Sequence, residues 1–387
     1  MAKILLLTHI YPPAVDGGSK VISKIGDYLE KHDHQVLVLT SNCTSTDDFS
    51  QKQHPIVIHQ SKIISLPVIT FLHRPFKLLG RIFPSFKTLS KGPIFKYLPL
   101  KKIISFKPDY ILAGPLPTTI ILYARFIQLI TKSKLVINPC FHPKDPDFQT
   151  PILLSILKKS DYLWPLTNYE KNYFQKNLKI THPQYFVHGL GVDDNFIINE
   201  KNIHYPKKPN LVFIANFSAH KRTELLITAF NLVLKKYPEA SLTLLGQKTL
   251  YFPKITAFLK IVPIKTKSKI KFIFNPTQTQ IKLALDKSSF LILPSIHESF
   301  GLVFVESLAR GKAIIGADTP QSSEVIKTLG GGLTFKTDSV DNLYQTICQL
   351  IESPQLSKKL ALTGYQNVKN TYTWNKIGEK LCQKLGI

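Results

Sequence analysis

Short apolar runs alternate with amphipathic stretches along the first half of the chain. Runs of four or five apolar residues have the length of strands buried on both faces, whereas apolar residues spaced three and four apart indicate helices. The pattern predicts strands at residues 4–7, 35–39, 110–112, 134–137 and 162–165, and helices at residues 19–32, 118–131 and 169–177. Strands and helices that alternate in this way are typical of a mostly parallel sheet.

A second series of apolar runs begins after residue 210. It predicts strands at residues 211–214, 241–244, 270–274, 290–293, 313–316 and 332–335. Residues 193–210, between the two series, are polar and irregular and include Pro206 and Pro209. Because 387 residues are too many for one ordinary core, we expect two α/β domains. The predicted domains are residues 1–193 and 211–372, joined by a linker at 194–210 and followed by a closing segment at 373–387.

The turn between residues 293 and 303 carries the densest candidate chemistry. The string P-S-I-H-E-S-F-G-L-V-F-V-E-S-L-A-R-G-K follows an apolar strand, and a helix is predicted at residues 303–309, so Ser299, Phe300 and Gly301 form the turn. Backbone N–H groups in such a turn, with the helix dipole, favour an anion such as a nucleotide diphosphate. Glu298 and Glu306 could each accept hydrogen bonds from a sugar diol. The alternative is an ordinary surface loop and an exposed glutamate.

This string resembles the signature of retaining glycosyltransferases of family four, which use nucleotide-sugar donors. The family pattern is P-S-x-x-E-S-F-G followed by E-[AS]-x-A-x-G-x-P, and only its last proline is missing, since Lys312 and Ala313 follow Gly311. The resemblance implies the GT-B fold, an α/β fold of two Rossmann-like domains facing each other across a donor/acceptor cleft. It also implies that the closing segment, with Thr373 and Trp374 at its start, forms a helix that returns toward the first domain.

The resemblance further implies roles for the residues of the string. Glu298 would hold hydroxyls of the donor sugar and Glu306 would bind the ribose diol. The turn residues would meet the sugar or phosphate through the backbone, and they are Ser299, Phe300, Gly301 and Leu302.

The start of the second domain contains the most serious departure from the family. Family members usually show G-R-L-S-P-E-K-G, in which an Arg and a Lys grip the donor diphosphate, whereas this chain has A-N-F-S-A-H-K-R. The alignment puts Lys221 on the family's Lys and Asn216 on its Arg. We expect Lys221 to neutralise the departing phosphate, with Arg222 as a substitute for the missing guanidinium. The alternative is a pair of solvated basic residues at a helix start.

Two loops of the first domain carry further candidates. The family's P-P-x-x-G-G loop lies between acceptor and donor phosphates, and here Gly17 and Gly18 match it with one extra residue. His9, at the start of this loop, is either an acceptor contact or a local hydrogen-bonding residue. The loop after the strand at 134–137 contains His142, which the resemblance implies beside the reaction centre, and Asp145, a candidate contact for an acceptor hydroxyl.

The D-x-D sequence at residues 145–147 allows a metal-binding alternative. We do not favour it, because the other landmarks resemble metal-independent enzymes. The predicted site therefore contains no metal and no cofactor beyond the nucleotide-diphosphate sugar, which is a co-substrate. A dispersed set of four cysteines, without a C-x-x-C pair, predicts neither a disulfide framework nor a zinc site and favours a reducing compartment.

Charge is the second unusual property of the chain. Lys and Arg number 50 against 25 Asp and Glu, and no acidic residue lies between Asp48 and Asp109. Three interpretations compete for this basic segment: nucleic-acid binding, a lysine-rich solvated face, and docking on an anionic membrane. No nucleic-acid motif accompanies the charge, and apolar residues accompany the lysines, so we favour the membrane. The apolar residues expected at the interface are Phe71, Phe76, Leu78, Leu79, Ile82, Phe83 and Phe86.

Taken together, the residues and the resemblance predict transfer of a hexose-type sugar, with retention, from a nucleotide-diphosphate donor to a glycan or lipid-linked acceptor. No apolar stretch is long enough to span a bilayer, so a peripheral position on the cytoplasmic face of the membrane is expected. The alternative function is that of a catalytically weakened, membrane-associated partner subunit, because Asn216 replaces the usual Arg. The sequence identifies neither the base nor the sugar of the donor.

Overall fold

A computed structural model describes residues 1–12, 17–43, 49 and 62–387. These residues form two compact units, each built around its own parallel sheet. Met1–Gly189 and Ile377–Ile387 make up the first unit, and Leu190–Lys376 make up the second. In the glycine loop Pro12 is among the described residues, whereas residues 13–16, which include Pro13, lie outside them.

The first unit contains a seven-stranded sheet whose strand order is β3-β2-β1-β4-β5-β6-β7. Its strands are β1 (Lys3–Leu7), β2 (Gln35–Ser41), β3 (Ile63–Leu66), β4 (Tyr110–Ala113), β5 (Lys134–Ile137), β6 (Tyr162–Leu163) and β7 (Gln184–Tyr185). Its helices are α1 (Gly17–Lys31), α2 (His73–Leu79), α3 (Pro84–Leu89), α4 (Leu100–Phe106), α5 (Ile120–Thr131), α6 (Pro151–Lys158) and α7 (Asn168–Lys176). All strand pairs are parallel, as the alternating pattern predicts.

The second unit contains a six-stranded parallel sheet in the order β10-β9-β8-β11-β12-β13. Its strands are β8 (Asn210–Ile214), β9 (Ser241–Gly246), β10 (Ile270–Phe274), β11 (Phe290–Leu293), β12 (Ala313–Ala317) and β13 (Gly332–Phe335). Its helices are α8 (Thr223–Lys236), α9 (Phe252–Ile261), α10 (Ile264–Lys267), α11 (Gln278–Lys287), α12 (Leu302–Ala309), α13 (Pro320–Leu329), α14 (Val340–Glu352) and α15 (Pro354–Thr371). The six predicted strands are confirmed, and β10, β11 and β13 have the predicted bounds.

The last helix, α16 (Trp374–Leu385), contributes most of its length to the first unit. Ile377 and Leu381 are buried there, and Tyr110 Oη donates a hydrogen bond of 2.6 Å to the carbonyl of Leu385. Gly378 lies so close to Tyr28 that a Cβ at this position would be 2.3 Å from the ring. The helix is therefore anchored by specific packing.

Residues 194–210, the predicted linker, lie within the second unit. Ile198 N donates to the carbonyl of Ala309 at 3.0 Å, and Tyr365 Oη donates to the carbonyl of Ile198 at 2.8 Å. Within the described part of the chain, no helix has both the length and the apolar character needed to cross a bilayer. The four cysteines all lie within the described residues, and none of them forms a disulfide.

Candidate functional site

The loops that follow β8 and β11 meet at one edge of the second sheet. The two strands are neighbours and run parallel, so their carboxyl ends lie side by side. Ile296 N, in the second loop, donates a hydrogen bond of 2.9 Å to the carbonyl of His220, in the first. This bond fixes the loops to each other and brings the predicted residues Lys221 and Glu298 together.

Lys221 and Glu298 form an ion pair in which Nζ donates a hydrogen bond to Oε1. Their side chains are only 16% and 11% exposed, so water screens the interaction far less than it would at the surface. A ligand that takes either group must replace its partner, because an unpaired charge in a partly buried site is costly. The pair thus offers a neighbouring ammonium and carboxylate to a ligand that carries both an anionic group and hydroxyls.

The turn after Glu298 leads directly into helix α12. Gly301 has a φ of 81°, a conformation that side-chain-bearing residues rarely adopt, and it precedes the first residue of the helix. Phe300 is buried and its ring lies 6.0 Å from that of Tyr372, which holds the turn against the rest of the unit. Ser299 and Leu302 flank this pair and are partly exposed. The turn therefore leads into the start of α12 as the sequence predicts, and anion binding there stays a prediction.

Glu306 lies one turn into α12 and is 9% exposed. Glu298 precedes the helix and Glu306 lies within it, so the two carboxylates are carried by one strand–turn–helix unit. The structure thus brings together Lys221, Glu298 and the turn by direct contact, with Glu306 on the helix that the turn begins.

Arg222 is engaged away from this group. Its backbone has a φ of 52°, and its guanidinium forms two hydrogen bonds with Asp338, from Nε to Oδ1 at 2.8 Å and from Nη2 to Oδ2 at 3.2 Å. About a third of the Arg222 side chain and half of the Asp338 side chain are exposed, so the pair is weakly held. Arg222 must leave Asp338 before it can assist Lys221.

Asn216, which stands at the family's Arg position, connects two loops. Its Oδ1 accepts a hydrogen bond of 3.3 Å from Gln247 N, in the loop that follows β9. Phe217 N also donates to the carbonyl of Gln247, at 2.9 Å. Asn216 therefore has a local structural contact and supplies no positive charge.

Lys312, one residue before the position of the missing proline, is fully buried. It precedes β12 and so lies at the opposite end of the sheet from Glu298. Its Nζ donates to the carbonyl of His204 and lies 5.4 Å from the centre of the Tyr205 ring. Burial, partly opposed by Asp286, lowers the pKa of Lys312 from 10.5 to about 8. The sequence does not show that this amine would be inside the protein.

The candidates in the first unit lie in two loops after β1 and β5. His142 packs edge-on against Phe148 with 5.1 Å between ring centres, and its carbonyl accepts from Asp145 N at 3.0 Å. Asp145 Oδ1 in turn accepts from Asp147 N at 2.9 Å. His9 is buried, and its ring lies 6.3 Å from that of Phe49.

Gly17 and Gly18 form the first residues of α1. A Cβ on Gly18 would lie 2.4 Å from Pro115 Cγ, whereas one on Gly17 would meet nothing within 4 Å. The helix start therefore requires glycine at position 18 for packing within the unit and leaves position 17 with open space around it.

The second aspartate of the D-x-D sequence has a structural role. Asp147 forms ion pairs with Lys87 and Lys91, the latter at 2.6 Å, and so ties the loop to the region of α3. Burial disfavours its charged form, but the hydrogen bonds from the two lysines outweigh burial and lower the pKa of Asp147. In the part of the chain that the structure describes, no group of three or more His, Cys, Asp or Glu is arranged to hold a metal ion.

Glu170 is a residue whose role the sequence did not reveal. Its carboxylate is buried and accepts from two backbone groups, Phe141 N at 3.2 Å and Leu166 N at 2.7 Å. These groups belong to the loops after β5 and β6, so Glu170 fixes the loop that carries His142. One signal in the sequence is that this glutamate stands three residues after Thr167, which caps α7.

Comparisons with known proteins agree with this architecture. Residues 194–367 match the family model of Glycosyl transferases group 1. An uncharacterized glycosyltransferase of Methanocaldococcus jannaschii is 27% identical over 217 residues, which are 56% of this chain and 57% of that protein. The N-acetyl-alpha-D-glucosaminyl L-malate synthase of Bacillus anthracis is 25% identical over 167 residues, 43% of this chain and 42% of that protein. The chain thus spans about half the length of the curated relatives that it matches.

Solved structures match over nearly the whole chain. Sucrose-phosphate synthase from Thermosynechococcus elongatus has a TM-score of 0.75 at 15% identity, covering 100% of this chain and 98% of that one. HepE of Anabaena, in complex with UDP and glucose, has a TM-score of 0.73 at 15% identity and covers 100% of both chains. At this identity the likeness shows the fold alone. The chain therefore has the GT-B fold, and its second unit carries the match to the Glycosyl transferases group 1 domain.

Proposed function

We propose that the protein is a retaining glycosyltransferase of family four that moves a hexose-type sugar from a nucleotide-diphosphate donor to a saccharide or lipid-linked acceptor. The transfer is metal-independent and needs no cofactor besides the donor. The observation that carries the proposal is the partly buried Lys221–Glu298 pair at the start of α12. A nucleotide sugar offers a phosphate to the ammonium and hydroxyls to the carboxylate, and therefore satisfies both groups when it separates them.

Each donor residue has a distinct task in this proposal. Lys221 binds the diphosphate and stabilises the negative charge that grows on it as the bond to the sugar breaks. Glu298 holds the sugar hydroxyls, and Glu306 binds the ribose diol. The turn residues from Ser299 to Leu302 offer backbone N–H groups to the donor.

Retention requires that the new bond form on the face from which the phosphate leaves. The bond between the anomeric carbon and the phosphate oxygen breaks, and the acceptor oxygen bonds to that carbon. The proton of the acceptor hydroxyl passes to the departing phosphate oxygen, which leaves as a nucleoside diphosphate. In the first unit, His142 lines the reaction centre, His9 and Asp145 contact the acceptor, and the backbone at Gly17 and Gly18 approaches the donor phosphate.

We also propose a peripheral position on the cytoplasmic face of an anionic membrane, where a lipid-linked acceptor is found. The hairpin of α2 and α3 supports this proposal, because Leu78, Ile82 and Phe83 are exposed at its tip. Lys77 and Arg81 lie beside them, so the tip offers both apolar surface and positive charge to anionic lipid. Nucleic acid is not a proposed partner.

A thermal-shift titration with UDP, GDP, ADP and their sugar conjugates tests the donor site. A bound ligand raises the melting temperature by mass action, so we expect a shift for one base that persists in EDTA. The shift should be lost in Glu306→Ala and in Lys221→Ala, and retained in Lys235→Ala, a variant of an exposed lysine on α8. A shift that requires a divalent metal would refute metal independence, and a shift unchanged in both site variants would refute the site.

A second function is favoured by the contacts of Asn216 and Arg222. Asn216 has no charge and Arg222 is paired with Asp338, so neither supplies a guanidinium to the donor diphosphate. A catalytically weakened, membrane-associated partner subunit would show this. Measurement of donor hydrolysis separates the two functions. Hydrolysis lost in Lys221→Ala supports the enzyme, whereas a folded protein that neither binds nor hydrolyses any nucleotide sugar supports the partner subunit.

A further inference from the structure

The second unit contains its own long segment without negative charge. Residues 240–285 include no Asp or Glu. The lysines of this segment are Lys248, Lys254, Lys260, Lys265, Lys267, Lys269, Lys271 and Lys282. It covers α9, α10 and the edge strand β10, which are consecutive along the chain. The basic character of the protein is therefore not confined to the first unit.

Two isoleucines project from the corner between α9 and α10. Ile261, the last residue of α9, is 80% exposed, and Ile264, the first residue of α10, is 81% exposed. Two such isoleucines at a two-residue corner leave a large apolar area in water, which is unfavourable unless something covers it. Three lysines, at positions 260, 265 and 267, flank the corner.

Buried residues on both sides of the corner hold it in this orientation. Ile255 and Val262 are buried, and the buried Thr266 donates a hydrogen bond of 2.5 Å from its hydroxyl to Asn231 Oδ1 on α8. Since these residues face inward on both sides of the corner, Ile261 and Ile264 cannot turn inward without breaking this packing. The exposed pair is thus a fixed feature of the surface.

We propose that the α9–α10 corner is a lipid-docking site, at which Ile261 and Ile264 insert into the interface of an anionic leaflet while the flanking lysines bind the headgroups. Apolar tips between lysines match a leaflet, which offers a negative surface above an apolar interior. A second copy of the chain is a poor occupant, because it would place lysines against lysines. The inference goes beyond the proposed glycosyl transfer and does not depend on it, since none of these residues belongs to the donor site.

A local reporter tests insertion directly. The chain has two tryptophans, Trp164 and Trp374, and both are buried, so an Ile264→Trp variant adds one exposed tryptophan at the corner. The full chain is mixed with vesicles of phosphatidylcholine alone or with phosphatidylglycerol. We expect a blue shift of the new emission and quenching by brominated acyl chains, only with phosphatidylglycerol present. Unchanged emission from protein that co-sediments with the vesicles would overturn the proposal.

Variants then measure how much the corner contributes to binding. Ile261→Ser together with Ile264→Ser should weaken vesicle partitioning by about tenfold or more. Replacing the three flanking lysines by glutamine should weaken it by about fivefold for each charge. Leu362→Ser is the matched control, since Leu362 is 37% exposed on α15 of the same unit and should leave partitioning unchanged.

Two further readouts distinguish lipid insertion from a damaged donor site and from self-association. The thermal shift with nucleotide should be the same in the parent and in the double isoleucine variant, so loss of lipid binding is distinguishable from failure of the donor site. Concentration-dependent self-association that the double variant abolishes would overturn the proposal in favour of a second copy. Equal partitioning of parent and double variant would overturn it as well.

Discussion

Lys312 should make the second unit more stable as the pH rises. The pKa of this lysine falls from 10.5 in the unfolded chain to about 8 in the fold, because the amine is buried. Below pH 8 both states carry the proton, and the folded state bears the full cost of the buried charge. Between pH 8 and 10.5 the folded state releases the proton first, so the free energy of unfolding rises with pH and then levels. The total gain is about 3 kcal/mol at about 1.4 kcal/mol per unit of pKa.

A Lys312→Met variant isolates this contribution. Trp164→Phe makes Trp374, in the second unit, the only tryptophan, and urea unfolding is followed by its fluorescence in parent and variant. Groups common to both proteins cancel in the difference. The parent should gain about 2 kcal/mol relative to the variant between about pH 8 and pH 9.5. Parallel stability curves over this range would refute the buried, proton-releasing lysine.

Three further predictions concern the site and its support. Lys221→Ala should reduce turnover by about a hundredfold or more, because it removes a donor that stabilises the transition state. Initial-velocity assays measure this, with Lys235→Ala as the control, and near-normal rates in Lys221→Ala would contradict the assignment. Asp338→Asn should release Arg222 and tighten diphosphate binding at a stability change below about 1 kcal/mol; unchanged affinity by calorimetry would count against an assisting role. Glu170→Gln leaves one acceptor oxygen for two backbone N–H groups, so it should lower the free energy of unfolding of the first unit by about 1–3 kcal/mol. Urea unfolding measures this, and an unfolding curve identical to that of the parent would refute the role of Glu170 in holding the loops.

Most strands were predictable because strands of a covered parallel sheet are continuous apolar runs, whereas β3 and β7 were not predicted. Phe290–Leu293 is entirely buried, and its bounds follow from four consecutive apolar residues. By contrast β7 consists only of Gln184 and Tyr185 and is too short to show a pattern of apolar positions. The helices α2 to α4 were not predictable because long-range contacts fix them. His73, for example, bonds through its ring to the carbonyl of Gly92 at 2.8 Å.

The site was predictable residue by residue but not as an arrangement. The sequence indicates that Lys221 and Glu298 each follow a strand, yet 77 residues separate them, and only the strand order makes β8 and β11 neighbours. The pair of Arg222 with Asp338 joins residues 116 apart, on loops whose conformation no periodicity describes. The spacing of apolar residues indicates which positions of one helix or strand are buried. An ion pair between loops depends instead on which strands are neighbours in the sheet, and that spacing does not indicate this.

The charge balance of the ligand-free site leads to a prediction about donor preference. Lys221 is neutralised by Glu298, so a free nucleoside diphosphate that takes the ammonium removes it from a partly buried carboxylate. A nucleotide sugar also supplies hydroxyl donors to that carboxylate, and should therefore bind more tightly than the free diphosphate by about tenfold. In Glu298→Gln the ammonium is already free, so the free diphosphate should bind more tightly than to the parent and the preference for the sugar conjugate should disappear. Calorimetric titration of both ligands against both proteins measures all four affinities. A preference for the sugar conjugate that survives in Glu298→Gln would show that the carboxylate is not the group that recognises the sugar.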